Sequence, residues 1–151
     1  MVKKMEKSYQ LTFQTADFME YSYILKDDEI RHKIAYFLLK YVSIEAFYKK
    51  LLIAEKERNG KKLSIKERKN LRVNINDVKR VLRYFDIAID DGLIERVFGS
   101  DDSNYMECSI KKLRDRLVHN INDNVLWCIL ERYDSIDKDL NLFLELFSIS
   151  V

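Results

Sequence analysis

A chain of 151 residues has room for one substantial hydrophobic core but not for two, so a single domain over 1–151 is expected. With 47% hydrophobic and 34% charged residues it reads as globular rather than disordered, and no apolar run approaches the roughly eighteen residues of a membrane span. A formal net charge of +2 is too small to announce a nucleic-acid partner by itself.

The basic start runs into Glu6 and the polar Ser8-Tyr9-Gln10, where a secretory signal would place its apolar stretch. Cys108 and Cys128 are too few for a disulfide framework and have neither a C-x-x-C spacing nor a histidine at metal-ligand spacing. A soluble, cytoplasmic protein with reduced thiols, no bound metal and no cofactor is the resulting expectation.

Proline is absent and glycine occurs only at Gly60, Gly92 and Gly99, so strand-and-turn punctuation is missing and an all-α bundle is expected. Tyr9, Phe13, Ala16, Met19 and Tyr23 recur at helical spacing and predict a first amphipathic helix over about Tyr9 to Leu25. A longer helix is predicted from Asp28 to Arg58, burying Ile34, Phe37, Leu38, Tyr41, Tyr48, Leu51 and Leu52 and ending near Asn59-Gly60. Unbroken, it would be ~46 Å long. Ser64-Ile65-Lys66-Glu67 matches a capping box and starts a short basic helix.

Between Lys56 and Arg83 there are eleven basic and three acidic residues, a local charge of +8. Such a patch attracts a phosphate backbone; the alternative is solvated faces of lysine-rich helices. Asn74 or Asn76 caps the next helix, carrying Val78, Val81, Leu82 and Phe85. Asp90-Asp91 opens a brief helical turn through Leu93, Ile94 and Val97 that Gly99 stops. Ser100-Asp101-Asp102-Ser103-Asn104 is the best loop, and Asn104 with Glu107 resembles a second cap leading into the helix with the motif described below. After Asn120-Ile121-Asn122-Asp123 a helix carries Val125, Leu126, Ile129, Leu130 and Tyr133, and the apolar tail from Leu140 to Phe147 forms another.

The segment Arg114-Asp115-Arg116-Leu117-Val118-His119-Asn120 places an arginine and one of only two histidines five positions apart on one helix. An imidazole ordinarily titrates near neutrality and a guanidinium matches a phosphate, so the two make a minimal phosphodiester-cleaving pair. On a helical wheel Leu113, Leu117 and Ile121 continue a core stripe from Ile110, whereas Arg114 and His119 stand ~140° apart in the neighbouring sector. A twofold axis beside this helix would bring two such pairs into one cleft.

The pattern resembles the HEPN family, whose signature is an arginine, usually followed by a polar residue, and a histidine after four to six intervening positions. Here Arg114, Asp115 and His119 fill it. The resemblance implies an up-and-down helical bundle, commonly dimeric through the motif helix, and a metal-independent endoribonuclease of toxin–antitoxin, abortive-infection or phage-defence type. In it His119 would move the proton, Arg114 would stabilise charge on the phosphate, and Asp115 would orient one of them. RNA, a second copy and a cognate antitoxin or regulatory protein are the implied partners. Ile121 stands where HEPN toxins paired with a minimal nucleotidyltransferase have tyrosine, so the resemblance does not extend to regulation through that position.

Other assignments compete. HEPN-like domains also serve as non-catalytic modules binding RNA, a nucleotide or a protein, and an unrelated dimeric interaction bundle is a third reading. His119 has a structural alternative as a C-terminal helix residue near the last carbonyls, Arg114 and Asp115 as solvated charge or an intrahelical ion pair, and Asn120 as a C-cap. His32 reads as an ordinary helix residue, and Trp127, which could stack bases, reads as core. Glu45, beside Phe47 and Tyr48 on the long helix, could approach the cleft but reads as a partly exposed carboxylate and is not assigned to the site.

Overall fold

The computed structural model describes residues 26–99, 104–119 and 121–150. The predicted helix over Tyr9 to Leu25, most of the loop at Ser100-Asp101-Asp102-Ser103 and the proposed Asn120 cap lie outside them. Among the described residues there are seven α-helices and no strand: α1 (Asp28–Arg58), α2 (Ile65–Lys69), α3 (Ile75–Tyr84), α4 (Asp91–Phe98), α5 (Ile110–His119), α6 (Asp123–Glu131) and α7 (Tyr133–Ser150). None is long and apolar enough to cross a membrane.

Local chemistry sets the helix boundaries. Asp27 caps α1 by accepting from the Ile30 amide at 3.1 Å, and at the other end Gly60, at φ +85°, takes the left-handed turn. There the amides of Gly60 and Lys61 reach back to the carbonyls of Glu57 and Lys56, satisfying two terminal acceptors. The expected capping box is present at Ser64 and Glu67. Asn74, rather than Asn76, caps α3, Asp90 caps α4, and Gly99 follows it as C-cap. Asp86, at φ +58°, plays the role at the end of α3 that Gly60 plays after α1, with the Ile87 amide bonded to the Leu82 carbonyl at 2.8 Å.

α1 is the axis of the bundle. Its buried stripe is Ile34, Phe37, Tyr41, Ile44, Tyr48 and Leu52, with Leu38 and Leu51 only partly covered. Phe98 of α4 sits against Tyr41, Tyr48 and Phe143, its ring 5.5 Å from that of Phe143 in an edge-on contact. α7 lies beside α1 and points the same way: Lys33 faces Tyr133, Lys40 bonds Asp137 at 2.6 Å, and Phe47 stacks on Phe147 at 4.6 Å. The chain returns between them through the short helices. Tyr133 opens α7 instead of closing α6, because Arg132 caps α6 one residue earlier.

Two carboxylates are buried in this core, and each is held by an arginine fork. Glu55 accepts from Arg80 at 2.8 and 3.0 Å, tying α1 to α3; Asp139 accepts from Arg96 at 2.9 and 3.1 Å, tying α7 to α4. The Arg80 hydrogen bonds keep the Glu55 carboxyl below the usual carboxylate range.

Candidate functional site

The helix carrying the motif is fixed from both sides. Ile110, Leu113 and Leu117 bury its inner stripe, and the Ser109 hydroxyl accepts from the Lys112 amide at 3.2 Å to start it. Arg132 donates to the carbonyls of Tyr105 at 2.7 Å and Cys108 at 2.9 Å, clamping the preceding turn to the start of α7. Asn104 does not cap α5 as the sequence suggests. Its side chain accepts from the Met106 amide and its carbonyl from Glu107 and Cys108, which closes a turn five residues ahead of the helix.

Arg114 faces inward. Its Nη2 lies 3.1 Å from Glu45 Oε2 and 3.3 Å from Asp115 Oδ1, and its guanidinium carbon is 5.0 Å from the centre of the Tyr41 ring. Arg114 and Glu45 are 18% and 16% exposed, so the ion pair is shielded on most sides yet still reaches the surface. Asp115 divides its carboxylate between Arg114 and Lys111, the latter at 3.1 Å one turn earlier. Burial pushes the Tyr41 hydroxyl above the ordinary tyrosine range, with the Glu45 charge adding to the effect and Arg114 opposing it. Among the described residues the ion pairs of Arg114 engage Nη2 alone, and its buried Nε has no acceptor. A planar fork held by two carboxylates along one edge is oriented while keeping other N–H groups for a phosphate oxygen.

Asp115 therefore contacts Arg114 and, among the described residues, not His119. Glu45, which sequence reasoning left out of the site, is partly exposed as expected but is the principal partner of Arg114. The two are 69 positions apart, and only the packing of α5 across α1 brings them together.

His119 is the last residue of α5 and is exposed, with no hydrogen bond or ion pair among the described residues. Among the described residues nothing links it to Arg114. Val118, one turn from Arg114 on the same face, is also exposed. Ile121 does not extend the core stripe; it is 37% exposed because α5 stops at His119 and the helical phase stops with it.

Beside this site α1 carries an outward face without charge. Ala35, Leu39, Val42 and Ala46 are all exposed, Leu39 at 63%, and follow one another at intervals of four, three and four. Between Ala35 and Ala46 the charged side chains are committed elsewhere, Lys40 to Asp137 and Glu45 to Arg114, while Lys49 and Lys50 follow one turn beyond Ala46. His32 is exposed on the first turn of α1 with its ring tilted against Tyr36, as an ordinary helix residue would be. Trp127 is 51% exposed and not core, since Val125, Leu126 and Ile129 fill the inner face of α6. Among the described residues neither cysteine forms a disulfide; Cys108 is buried, and burial pushes the Cys128 thiol up, away from a reactive thiolate. Among the described residues no three histidines, cysteines or carboxylates converge as a metal site.

Compared with known proteins, the chain matches no family model, no curated protein and no solved structure.

Proposed function

We propose that the protein is a metal-independent endoribonuclease of the HEPN type, of a toxin–antitoxin or phage-defence kind, assembled from two copies whose Arg114 and His119 meet across a shared seam. The observation carrying this reading is the divided state of the motif. Arg114 is held in place by Glu45 and Asp115 at the edge of the protein, while His119 projects from the end of the same helix with no partner among the described residues. A second chain supplies what one chain leaves unjoined.

The uncharged face of α1 supports the seam. Its order Ala35, Leu39, Val42, Ala46 reads the same in size from either end, so an antiparallel twofold packing sets Ala35 against Ala46 and Leu39 against Val42 of the second copy. Val118 extends that apolar surface onto the motif helix.

In the proposed reaction His119 accepts the proton of a ribose 2′-hydroxyl as the 2′-oxygen bonds to the adjacent phosphorus. The bond from phosphorus to the 5′-oxygen breaks, and the departing oxygen takes up a proton. Arg114 donates to the phosphoryl oxygens as their charge grows. Glu45 and Asp115 act as positioning residues through the guanidinium. The products are a 2′,3′-cyclic phosphate and a 5′-hydroxyl.

Incubation of the purified protein with mixed RNA in EDTA, followed by end-group analysis, tests this. Cleavage with those two ends is expected; salt-sensitive RNA binding without cleavage would instead identify a non-catalytic module.

A further inference from the structure

The local charge of +8 between Lys56 and Arg83 is sorted by the fold into paired and unpaired parts. Arg68 is taken by Glu57 at 2.5 Å, Lys79 by Glu95 at 3.0 Å, and Arg80 by Glu55 and Asp77, while Glu67 is turned back into its capping box. All three acids of the segment are thereby occupied. Lys61, Lys62, Lys66, Lys69 and Arg83 remain exposed, with no carboxylate in ion-pair reach among the described residues.

Two contacts gather these cations at one end of the bundle. The Glu57–Arg68 pair pins α2 against the last turn of α1, and the Arg58 guanidinium lies 5.0 Å over the Phe85 ring, pinning the end of α3 to the same turn. Phe85 in turn meets Tyr84 edge-on at 5.0 Å, and Tyr84 is 43% exposed. An exposed aromatic ring whose orientation is set by its neighbour thus lies at the same end of the bundle as these cations. Charge alone suits any polyanion; an exposed ring at the same end as the cations suits one with flat bases to stack on it.

The geometry points to this end of the bundle, formed by α2, the C-terminus of α1 and the C-terminus of α3, as a single-stranded RNA-holding surface separate from the cleavage site. As a substrate-holding surface it rests on the nuclease reading above. Glu45 and Arg58 are thirteen residues apart on one helix, so the surface starts ~20 Å along α1 from the Arg114–Glu45 pair. A strand occupying both spans several nucleotides. The substrate class is therefore an extended unpaired segment rather than a dinucleotide or a regular duplex.

The test uses the full chain with Lys61, Lys62, Lys66 and Lys69 all changed to Gln, and separately Tyr84→Ala, each with and without His119→Ala so that binding is read without cleavage. All five positions are exposed, and helical content and thermal midpoint serve as controls for folding. With a labelled single-stranded RNA, the quadruple variant is expected to bind at least ~10-fold more weakly at low salt, and the slope of log affinity against log salt to fall by about 3, at ~0.7 per lost phosphate contact. Tyr84→Ala is expected to weaken single-strand binding about tenfold without changing that slope, and to leave duplex binding nearly unaltered. In chains retaining His119 the quadruple variant should cut a dinucleotide as well as the unmodified protein does while losing activity on the long strand.

An unchanged affinity and salt slope in the quadruple variant would overturn the assignment. So would loss of binding to polyglutamate with RNA binding intact, which would give the surface to an acidic protein partner. If RNA binding depends on the four lysines but no RNA is ever cut, the surface stands and the nuclease reading falls.

Discussion

Replacing His119 by alanine is expected to lower RNA cleavage by about 10²–10⁴-fold, the usual contribution of a positioned acid–base group, or roughly 3–5 kcal/mol of transition-state stabilisation. The side chain is exposed and makes no hydrogen bond or ion pair among the described residues, so its removal should shift stability by less than about 0.5 kcal/mol. Activity and stability should therefore separate cleanly. Arg114 requires a different substitution. Alanine there would strand the shielded Glu45 carboxylate and remove the contact with Tyr41, mixing a folding defect with a chemical one. Arg114→Lys keeps a positive charge beside Glu45 but loses the planar fork, and a fall of about 10²–10³-fold in cleavage with a nearly unchanged thermal midpoint is expected. Full activity in His119→Ala, measured on the same RNA and at the same protein concentration, would remove the histidine from the mechanism.

The second large effect is expected at the uncharged face of α1. Changing Leu39 and Val42 together to Glu would set four carboxylates against one another across the proposed twofold seam, in which Leu39 of one copy faces Val42 of the other. Like charges brought together in this way cost several kcal/mol, enough to raise a dimer dissociation constant at least ~100-fold. Both positions are exposed in the single chain, so the monomer should keep its helical content. Sedimentation is expected to show a dimer for the unmodified protein and a monomer for the double variant, and cleavage should fall with the dimer fraction. A double variant that sediments unchanged would remove this face from the interface.

Much of the helical framework was legible because its signals are local. The whole span of α1, the Ser64–Glu67 capping box and the Asp90 and Gly99 limits of α4 each depend on residues within a turn of one another. What the sequence hid depends on contacts between distant segments. Ile44 is fully buried and Glu55 nearly so, the latter only because Arg80 arrives from α3. The partnership of Glu45 with Arg114 has no signature at a separation of 69 positions. A charged residue next to a buried stripe looks the same in sequence whether its partner is water or an arginine on another helix. The reverse error occurred at Trp127, where a large apolar side chain at helical spacing was expected in the core; α6 already presents Val125, Leu126 and Ile129 inward and turns Trp127 out. Ile121 and Asn104 were misplaced for one reason. The motif helix is shorter than its flanking pattern, starting at the Ser109 cap and stopping at His119, so neither residue has a helical turn to belong to. The residues of the candidate motif could be named in advance, whereas their division into an inward arginine and an outward histidine required the packing of α5 on α1.

That division gives the central claim its most direct test, a subunit-mixing assay. Arg114→Lys and His119→Ala chains, each nearly inactive alone, are unfolded together, refolded and assayed in EDTA. Random pairing makes about half of the dimers mixed, and each mixed dimer holds one intact pairing of Arg114 with His119 across the seam. Cleavage should recover to about one quarter of that of the unmodified protein. A mixture no more active than its two components would contradict a site shared between copies.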